Sequence, residues 1–453
     1  MDFGGRLVIT NTGSGLTANQ RVALFDAGSF SNKIKIENFK TIGFDNGLLF
    51  NSHTGMLIGL DGGKSKVSGS YLNLQGNQAS TYLALFEDSV EVGKKNVTRT
   101  KPLSGGGESI DFISGASDGD SRLVDLLNQV TFASPGSIDA ATMNSLSPEV
   151  QRGMADFTEQ ALRSHVREAV DAAPVSRKGK TQVFATLHTI TDGVDDSATN
   201  GGYDIEMSGA TGGVRYDVNT NLQIGGLLGV DDGSIKGALI DTDAQGLVLG
   251  AFGRYFFDDK GKTMVTGSAS YGNYDYDAER HSFGGDANAD DIGSDALELA
   301  LGVSTVVYKK DCLQVSPTAA LRYMTGRVDG FVESGSGVAL AVDSQDVGTL
   351  LLDIGVDVNY QLMEKVSLVG RVGYTDDLSN SDESVSASFA ASGPNGLPFS
   401  VNAPGIDSQA LTVGLGLFYD VNDSTRLGLT YRGEFRTDST SSQTFGIGAS
   451  YGF

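Results

Sequence analysis

One short segment of the sequence matches a motif of serine hydrolases. The residues Gly115-Ala-Ser-Asp-Gly119 have the Gly-x-Ser-x-Gly spacing of a nucleophile elbow, in which Ser117 would be the nucleophile. The motif works only within an α/β sheet that supplies an acid and then a histidine further along the chain. No alternation of strands and helices follows Ser117 in the sequence. We therefore predict a chance match in a loop, and we expect that the chain is not an enzyme.

Two other places carry residue types that could do chemistry. His188 and His281 lie near acids, an arrangement that outer-membrane proteases and lipases use for catalysis. If these histidines lie on strands of a membrane barrel, as the patterns described below predict, they more often serve as polar residues of its lumen. The segment Gly284–Asp291 has enough oxygen ligands for Ca²⁺, although a solvated acidic loop explains it more simply. The single cysteine, Cys312, excludes an intrachain disulfide and a cysteine-based zinc site. We predict no cofactor and no metal.

A more regular set of charges lies on strands near the carboxyl end. Between residues 350 and 360 every even position is apolar, whereas the odd positions include Asp353 and Asp357. Alternate side chains of a strand point to opposite faces, so the two sets are separated in space. An Arg or Lys in contact with lipid costs about 2–4 kcal/mol at the bilayer midplane. We therefore predict that the charges face the lumen of a membrane barrel: Asp353, Asp357, Arg371, Arg426, Arg432 and Glu434.

The last strand shows the same alternation most clearly. From residue 445 the odd positions are Phe, Ile, Ala, Tyr and Phe, and the even positions are Gly or Ser. An apolar, aromatic outer face and a small, polar inner face are typical of outer-membrane barrels. The chain stops at an aromatic residue, as the closing strands of such barrels do. We predict that Phe445, Tyr451 and Phe453 form an assembly signal.

Twelve segments after Lys180 are predicted as strands: Thr181–Thr191, Tyr203–Asp217, Leu222–Asp231, Thr242–Phe257, Thr263–Glu279, Ile292–Tyr308, Leu313–Val332, Val342–Gln361, Val366–Asp376, Gln409–Asp420, Arg426–Thr437 and Ser442–Phe453. Every second connection is a tight turn. The others, except the last, are longer and acidic: Asp192–Gly202, Asp232–Asp241, Arg280–Asp291, Glu333–Ala341 and Asp377–Ser408. This asymmetry is typical of periplasmic turns and extracellular loops. Aromatic residues near the turns would form a periplasmic girdle: Tyr255, Phe257, Tyr308, Tyr360 and Tyr419.

A helix is predicted immediately before the strands. Ser147-Pro148-Glu149 has the residues of a helix start, with Ser147 as N-cap, and an apolar stripe continues from there to Val170. At about 1.5 Å per residue the helix would span roughly 37 Å, enough to cross the barrel lumen. A surface helix packed on a β domain is the alternative. In the lumen, arginines of the helix would face acids of the wall; the residues assigned to this pore helix are Glu149, Arg152, Arg163 and Arg167.

Composition agrees with a membrane barrel. The 453 residues include 61 glycines, and the formal net charge of −23 argues against nucleic acid as a partner. No run of about 18 apolar residues predicts a transmembrane helix. The start, Met1 to Gly5, has neither the basic nor the apolar region of a signal peptide, so we expect a fragment of a longer precursor.

Four regions are predicted. Residues 1–101 contain short strands separated by turn residues, 102–120 form a Gly-, Ser- and Asp-rich linker, 121–177 contain the helices, and 178–453 form the barrel. The first region is predicted to hold strands at Arg6–Asn11, Arg21–Phe25, Lys33–Glu37, Gly47–Phe50, Met56–Leu60, Tyr82–Leu85 and Ser89–Val92.

The order of these regions resembles the autotransporter translocators of type Va secretion. Residues 5–30, with Gly5-Arg-Leu-Val-Ile-Thr-Asn-Thr-Gly at their start, resemble the final rungs of a passenger β-helix, and a pore helix and a barrel ending in Phe follow. The resemblance implies an all-β fold, a 12-stranded antiparallel transmembrane barrel with an N-terminal helix threading the lumen. It also implies export of the chain's own N-terminal passenger to the bacterial surface.

The resemblance implies partners as well. These are outer-membrane lipid, the barrel-assembly machinery, periplasmic chaperones and the passenger itself, and we expect a monomer. Some family members cleave themselves at an Asn-Asn pair in the pore helix; Asn128 and Asn144 stand alone here, so we expect no self-cleavage by that mechanism. The alternative function is an outer-membrane porin or channel plugged by its N-terminal segment.

Overall fold

The computed structural model describes two parts of the chain. The first part comprises short segments: 2–10, 21–23, 35–42, 48–51, 56–59, 77–78, 80–82 and 84–85. The second comprises the helix and the barrel: 144–171, 181–195, 201–257, 262–282, 285–379, 384–390, 398–403, 406, 409–436 and 440–453. Ser117, Asn128 and the predicted strand Ser89–Val92 lie outside these residues.

The N-terminal strands are β1 Asp2–Thr10, β2 Arg21–Ala23, β3 Lys35–Ile42, β4 Leu48–Asn51 and β5 Met56–Gly59. β1 and β3 pair in parallel, which requires a crossover between them and is the pairing of successive β-helix rungs. β5 pairs antiparallel with both β2 and β4. The prediction of a strand at Tyr82–Leu85 is wrong, because the described residues 80–82, 84 and 85 are helical.

The predicted helix is present and has a different start. A 3₁₀ turn, Glu149–Gln151, precedes the α-helix α1, Arg152–Asp171. The prediction that Ser147 is the N-cap is wrong: Pro148 occupies that position, with no side-chain capping bond. The twenty residues of α1 span about 30 Å at 1.5 Å per residue. Among the described helices, none is long and apolar enough to cross a membrane.

The later strands are β6 Thr181–Val194, β7 Tyr203–Asp217, β8 Leu222–Lys236, β9 Ile240–Phe256, β10 Thr263–Arg280, β11 Ala287–Thr305, β12 Tyr308–Lys310, β13 Leu313–Val328, β14 Phe331–Val332, β15 Leu340–Val342, β16 Gln345–Met363, β17 Val366–Asp377, β18 Ser384–Phe389, β19 Phe399–Asn402, β20 Ala410–Asp420, β21 Thr425–Arg436 and β22 Ser441–Gly452. Twelve of them follow one another in sequence order around one antiparallel sheet: β6–β11, β13, β16, β17 and β20–β22. The short β12 pairs with β13 and is a thirteenth member of that sheet. β22 pairs with β6, with Ile447 opposite Leu187, and closes the sheet. The predicted twelve-stranded barrel is thereby confirmed.

The pleat separates the two surfaces of the barrel wall. In β6, Leu187 is exposed on the outside, whereas its neighbours Thr186 and His188 are buried against the contents of the lumen. Large apolar residues such as Leu429 and Ile447 are exposed in the same way on later strands. A lipid-facing exterior explains this exposure, because a soluble protein would bury such a continuous apolar band. Closure leaves no unpaired strand edge, as the bilayer requires.

The two ends of the barrel differ in their connections. The short-turn end carries the turns after β7, β9, β11, β16 and β20. The carboxyl terminus lies there too, since Phe453 N donates to the carbonyl oxygen of Thr181 at 2.9 Å. The opposite, long-connection end deviates from the sequence prediction. Asp232–Asp241 is mostly strand because β8 extends to Lys236, and half of Arg280–Asp291 is strand because β11 begins at Ala287.

A small sheet covers part of the long-connection end. β14, β15, β18 and β19 form it from residues that the sequence analysis assigned to two loops and to the ends of two barrel strands. The single strands predicted at Leu313–Val332 and Val342–Gln361 are therefore wrong: each divides into a barrel strand and a strand of this cap sheet. Alternation continues through both pieces, so periodicity alone does not reveal the break.

Candidate functional site

The helix α1 fills the lumen of the barrel. Its apolar stripe, including Met154, Phe157 and Leu162, is completely buried. Phe157 packs edge-on against Tyr274 and Tyr276 of β10, with ring centroids 6.3 and 5.8 Å apart. Such aromatic pairs contribute about 0.5–1.5 kcal/mol beyond burial of their area. The stripe therefore packs against one side of the wall.

Two arginines of α1 meet the same acid of the wall. Arg167 Nη1 lies 2.7 Å from Glu434 Oε1, and Arg163 Nη2 lies 3.9 Å from the same oxygen. Arg163 Nη1 also lies 3.4 Å from Glu159 on its own helix. All four side chains are buried or nearly so. The structure thus brings together three residues that the sequence assigned to the pore helix and the lumen.

The wall carries further ion pairs around this contact. Arg322 Nε lies 2.6 Å from Asp353 Oδ2, whose other oxygen accepts a hydrogen bond from Thr375 at 2.6 Å. Arg436 binds Asp192 through two hydrogen bonds of 2.6 and 2.7 Å. The sequence analysis did not assign Arg322 or Asp192 to the site. Arg322 has the lumen parity of its predicted strand, so its signal was available, whereas Asp192 was assigned to a connection and lies on β6 only in the structure.

Three of the remaining predicted wall charges, Asp357, Arg371 and Arg426, pair with wall residues. Arg371 donates to both oxygens of Asp357, at 2.6 and 2.9 Å, and both side chains are partly exposed. Arg426 Nη2 donates to Asp420 Oδ2 at 2.8 Å near the short-turn end. Arg432 lies on the same face of β21 and is half-buried.

Two other residues assigned to the pore helix lie at its start. Arg152 Nε pairs with Asp156 one turn along the same helix, at 3.2 Å. Glu149 lies in the 3₁₀ turn at the long-connection end and accepts hydrogen bonds from Gly201 N at 2.6 Å and Asn77 Nδ2 at 2.5 Å. Both residues lie next to the barrel rim.

The surroundings of Glu149 predict a pH effect. Burial raises the pKa of its carboxyl above the ordinary value, because desolvation outweighs the hydrogen bonds from Gly201, Asn77 and Ser147. The contribution of this shift to stability is therefore present below the ordinary glutamate pKa and is lost as the pH rises through the raised value. We expect the thermal midpoint of the native chain, relative to Glu149→Gln, to rise on acidification from about pH 7 to about pH 4. A difference independent of pH would contradict this.

The cap sheet is bound to the helix start through Arg280. Its guanidinium lies 2.6 Å from Glu333 Oε2 and donates to the carbonyl oxygens of Val338 and Ser145. Gln151 Nε2 donates to Glu333 Oε1 at 3.1 Å. One buried arginine thereby joins the wall, the cap sheet and the segment that leads into α1.

The histidine considered for catalysis lies inside the lumen. His188 is buried on β6, and its Nε2 lies 2.9 Å from Ser164 Oγ of α1. His165 of α1 lies beside it; its Nε2 is 2.7 Å from Asp231 Oδ2, and its Nδ1 is 2.6 Å from Thr211 Oγ1. Sequence analysis assigned no role to His165 or Asp231, because only the docked helix brings these two residues to His188.

The other candidates lie at the exposed rim. His281 Nδ1 is 3.2 Å from Asp286 and 3.6 Å from Glu279. The acidic segment Gly284–Asp291 is not one loop, as predicted, since β11 begins at Ala287. Asp291 has a positive φ of 56° next to the register shift between β10 and β11, and its backbone N–H donates to Asp277. The carboxylates of the acidic segment are thus divided between the connection before β11 and β11 itself.

The helix end at the short-turn end is held by Arg215. Its Nη2 donates to the carbonyl oxygen of Ala169 at 3.2 Å, which satisfies one of the acceptors that an α-helix leaves free in its last turn. The guanidinium also lies 5.0 Å from the ring centroid of Phe184 and 5.9 Å from that of Phe252. Arg215 has the lumen parity of β7, yet the sequence analysis did not single it out.

A glycine of the wall tests how closely the helix packs. A Cβ added to Gly229 would lie 2.4 Å from Nδ1 and 2.7 Å from Cγ of His165, whose ring is enclosed. We expect Gly229→Ala to lower the free energy of unfolding by about 1–3 kcal/mol, the usual cost of overpacking. Gly370→Ala is the matched control, since nothing lies within 4 Å of its added Cβ. Equal stability of the two variants would show that α1 is loosely held.

A closed barrel with an apolar exterior and an inserted helix defines the class of this protein: an outer-membrane β-barrel that holds its own preceding segment in the lumen. Residues 184–432 match the family model described as the autotransporter beta-domain. The chain belongs to the autotransporter family. Its barrel is an outer-membrane translocator for a passenger, and this function is favoured over the porin alternative.

Similar proteins agree with this assignment. The chain is 24% identical over 457 residues to the Neisserial autotransporter lipoprotein NalP of two Neisseria meningitidis serogroup B strains. The alignment covers 91% of the chain but only 39% of those relatives. The solved translocator domain of NalP from Neisseria meningitidis shares the fold, with a TM-score of 0.53 and 20% identity, over 67% of this chain and 97% of that one.

Proposed function

We propose that the barrel carries the chain preceding α1 to the bacterial surface, and that the lumen holds α1 where export stops. The direction of the helix is the observation that carries this proposal. Its start lies at the long-connection end, beside Gly201 and Glu333, and its last turn lies at the short-turn end, beside Arg215. Short turns face the periplasm in barrels of this kind. The chain before residue 149 then leaves the lumen on the outer side.

The exported part comprises residues 1–101, the C-terminal part of a passenger. Residues 102–120 are its linker, 121–177 contain the pore helix, and 178–453 form the translocator. The parallel pairing of β1 and β3 supports a β-helical passenger end. Catalysis is not part of this proposal: Ser117→Ala should leave any hydrolytic activity of the chain unchanged, and loss of such activity would revive the nucleophile elbow.

Exposure to external protease tests the export proposal. Intact bacteria would express this chain behind a signal peptide, and protease would be added outside. We expect loss of the segment 5–101 while the barrel, protected by lipid and closed strands, survives. A periplasmic marker protein in the same cells controls for leakage. Protection of the segment until the outer membrane is opened would place it in the periplasm and overturn the proposed direction.

We further propose that the barrel-assembly machinery and periplasmic chaperones handle the unfolded chain, with Phe453 as part of the signal. Phe453 is 67% exposed on the outer face at the terminus of β22, two residues after exposed Tyr451 and eight residues after exposed Phe445. Deletion of Phe453 should lower the amount of heat-modifiable barrel in the outer membrane. Phe257→Ala is the control, an aromatic 63% exposed near the same end. An equal loss of heat-modifiable barrel in both variants would mean that assembly depends only on the aromatic area at this end of the barrel.

A further inference from the structure

A buried cluster of two imidazoles and one carboxylate joins the helix to the wall. His165 belongs to α1, His188 to β6 and Asp231 to β8, and the three are 0%, 2% and 5% exposed. The two rings meet edge to face, with centroids 5.1 Å apart. One possible ligand atom from each residue lies within 4.8 Å of the other two. This imidazole cluster therefore has the composition and spacing of a three-ligand metal site.

The hydrogen bonds orient the possible ligand atoms. His165 Nδ1 lies 2.6 Å from Thr211 Oγ1, so an Nδ1–H can donate to that hydroxyl and leave Nε2 as the ligand. Metal-binding histidines are generally held in this way by a partner at the second ring nitrogen. His165 Nε2 is already 2.7 Å from Asp231 Oδ2, and His188 Nε2 is 3.9 Å from Asp231 Oδ1. One cation bound at about 2.0–2.2 Å by both His188 Nε2 and Asp231 Oδ1 can bridge their separation of 3.9 Å.

Polar atoms in the cluster lack partners in the described part of the structure. Asp231 Oδ1 and His188 Nδ1 are buried and have no hydrogen bond there. A buried polar group left in this state costs about 1–3 kcal/mol. A cation beside Asp231 Oδ1 would supply a partner for that oxygen. An unpaired carboxylate oxygen costs more than an unpaired imidazole nitrogen, so the cation would remove the larger of the two costs.

Glycines of the wall leave room for the rings. A Cβ at Gly209 would lie 2.4 Å from His188 Nε2 and 2.5 Å from Asp231 Oδ1. The Cβ of a residue at position 229 would meet the His165 ring at a similar distance. Any larger residue at these positions would occupy the space of the cluster.

We propose that His165, His188 and Asp231 bind a divalent transition-metal cation of the Zn²⁺ type, which ties α1 to two strands of the wall. Imidazole nitrogens with one carboxylate suit such cations better than Ca²⁺ or Mg²⁺, which prefer oxygen ligands. The hydroxyl of Ser164 lies 2.9 Å from His188 Nε2. It can therefore serve as a fourth ligand or accept a hydrogen bond from a metal-bound water. The bound cation links α1 to the wall and thereby resists movement of the helix along the lumen.

Metal content of the refolded full chain, produced without a histidine tag, tests this site. Because the cluster is enclosed, Zn²⁺ would be present during refolding in detergent and then removed from solution by dialysis. We expect one Zn²⁺ per folded chain, and Co²⁺ in its place should show the absorption of a low-symmetry site. His188→Gln and Asp231→Asn should each weaken binding by more than the 10–100-fold typical of a second-shell change, that is by about 100-fold or more.

The exposed cluster at the rim supplies the control. His281→Gln removes the imidazole between Glu279 and Asp286 and should leave binding unchanged. Heat-modifiable mobility identifies the folded fraction of every variant, so that metal is counted per folded barrel. Absence of bound Zn²⁺ in the native chain, undiminished binding in both lumen variants, or its loss in His281→Gln would each overturn the proposal.

Discussion

Deletion of residues 149–172 is expected to convert the barrel from a blocked lumen into an open pore. The helix removed fills a channel as wide as itself, about 10–12 Å with its side chains. Its apolar stripe is completely buried by the wall, so little space for ions remains beside it. Without it, the polar inner wall would be covered by water. We expect single-channel conductance in planar bilayers to rise from near the closed level to that of a water-filled pore of this width.

A deletion of equal length supplies the control. Removing residues 120–143 shortens the chain by the same amount but leaves α1 and its contacts with Glu434 and Tyr276 in place. This variant should conduct no better than the native chain. Equal conductance of both deletions and the native chain would mean that α1 does not close the lumen.

Replacement of Glu434 by glutamine is expected to cause the largest loss of stability of any single substitution at the helix–wall contact. Glu434 is the carboxylate that the structure shows beside Arg167, at 2.7 Å, and it also lies within 4 Å of Arg163 and Arg436. Loss of its charge leaves the buried guanidinium of Arg167 without this carboxylate, whereas Arg163 keeps Glu159 and Arg436 keeps Asp192. Breaking a buried pair from one side costs about 3–5 kcal/mol. Equilibrium unfolding in denaturant, followed by heat-modifiable mobility, measures the effect.

The matched control makes the same change of chemistry within the wall. Asp357→Asn removes the charge that pairs with Arg371, but the side chains of this pair are 24% and 31% exposed. We expect a cost of about 1 kcal/mol or less there, since solvent screens an exposed pair. If both variants lose equal stability, the contact with the helix adds nothing to the barrel. If only Glu434→Gln also raises the single-channel conductance, the ion pair of Arg167 and Glu434 also keeps α1 in the lumen.

Much of the barrel could be predicted from local pattern. Strand alternation such as that of residues 350–360 depends on a period of two that any lipid-facing strand must keep. The tight turns were equally local, and their spacing determined the count of strands. The start of α1 was predicted one turn too early, because Pro148 and Glu149 are also suited to a 3₁₀ turn.

The cap sheet and the strand ends could not be predicted in this way. β14, β15, β18 and β19 come from two distant connections, and each is too short for its alternation to be distinguished from that of the neighbouring strand. Their pairing depends on which connections the barrel places side by side. Tyr82–Leu85 was predicted as a strand, although its described residues are helical, because so short an apolar segment does not distinguish a strand from a helix by periodicity.

The sequence by itself determined that this chain forms a membrane barrel preceded by a helix, since the two periodicities of backbone structure and the cost of charge in lipid act on neighbouring residues. It also placed the charges of the last strands on the lumen side. Only the tertiary structure decided which charges meet: Arg167 with Glu434, Arg436 with Asp192, and His165 with Asp231. The second pair joins two wall strands, β21 and β6, whereas the first and third depend on the rotation and depth of α1 in the lumen. Those two variables are set by the whole wall at once and by no segment alone.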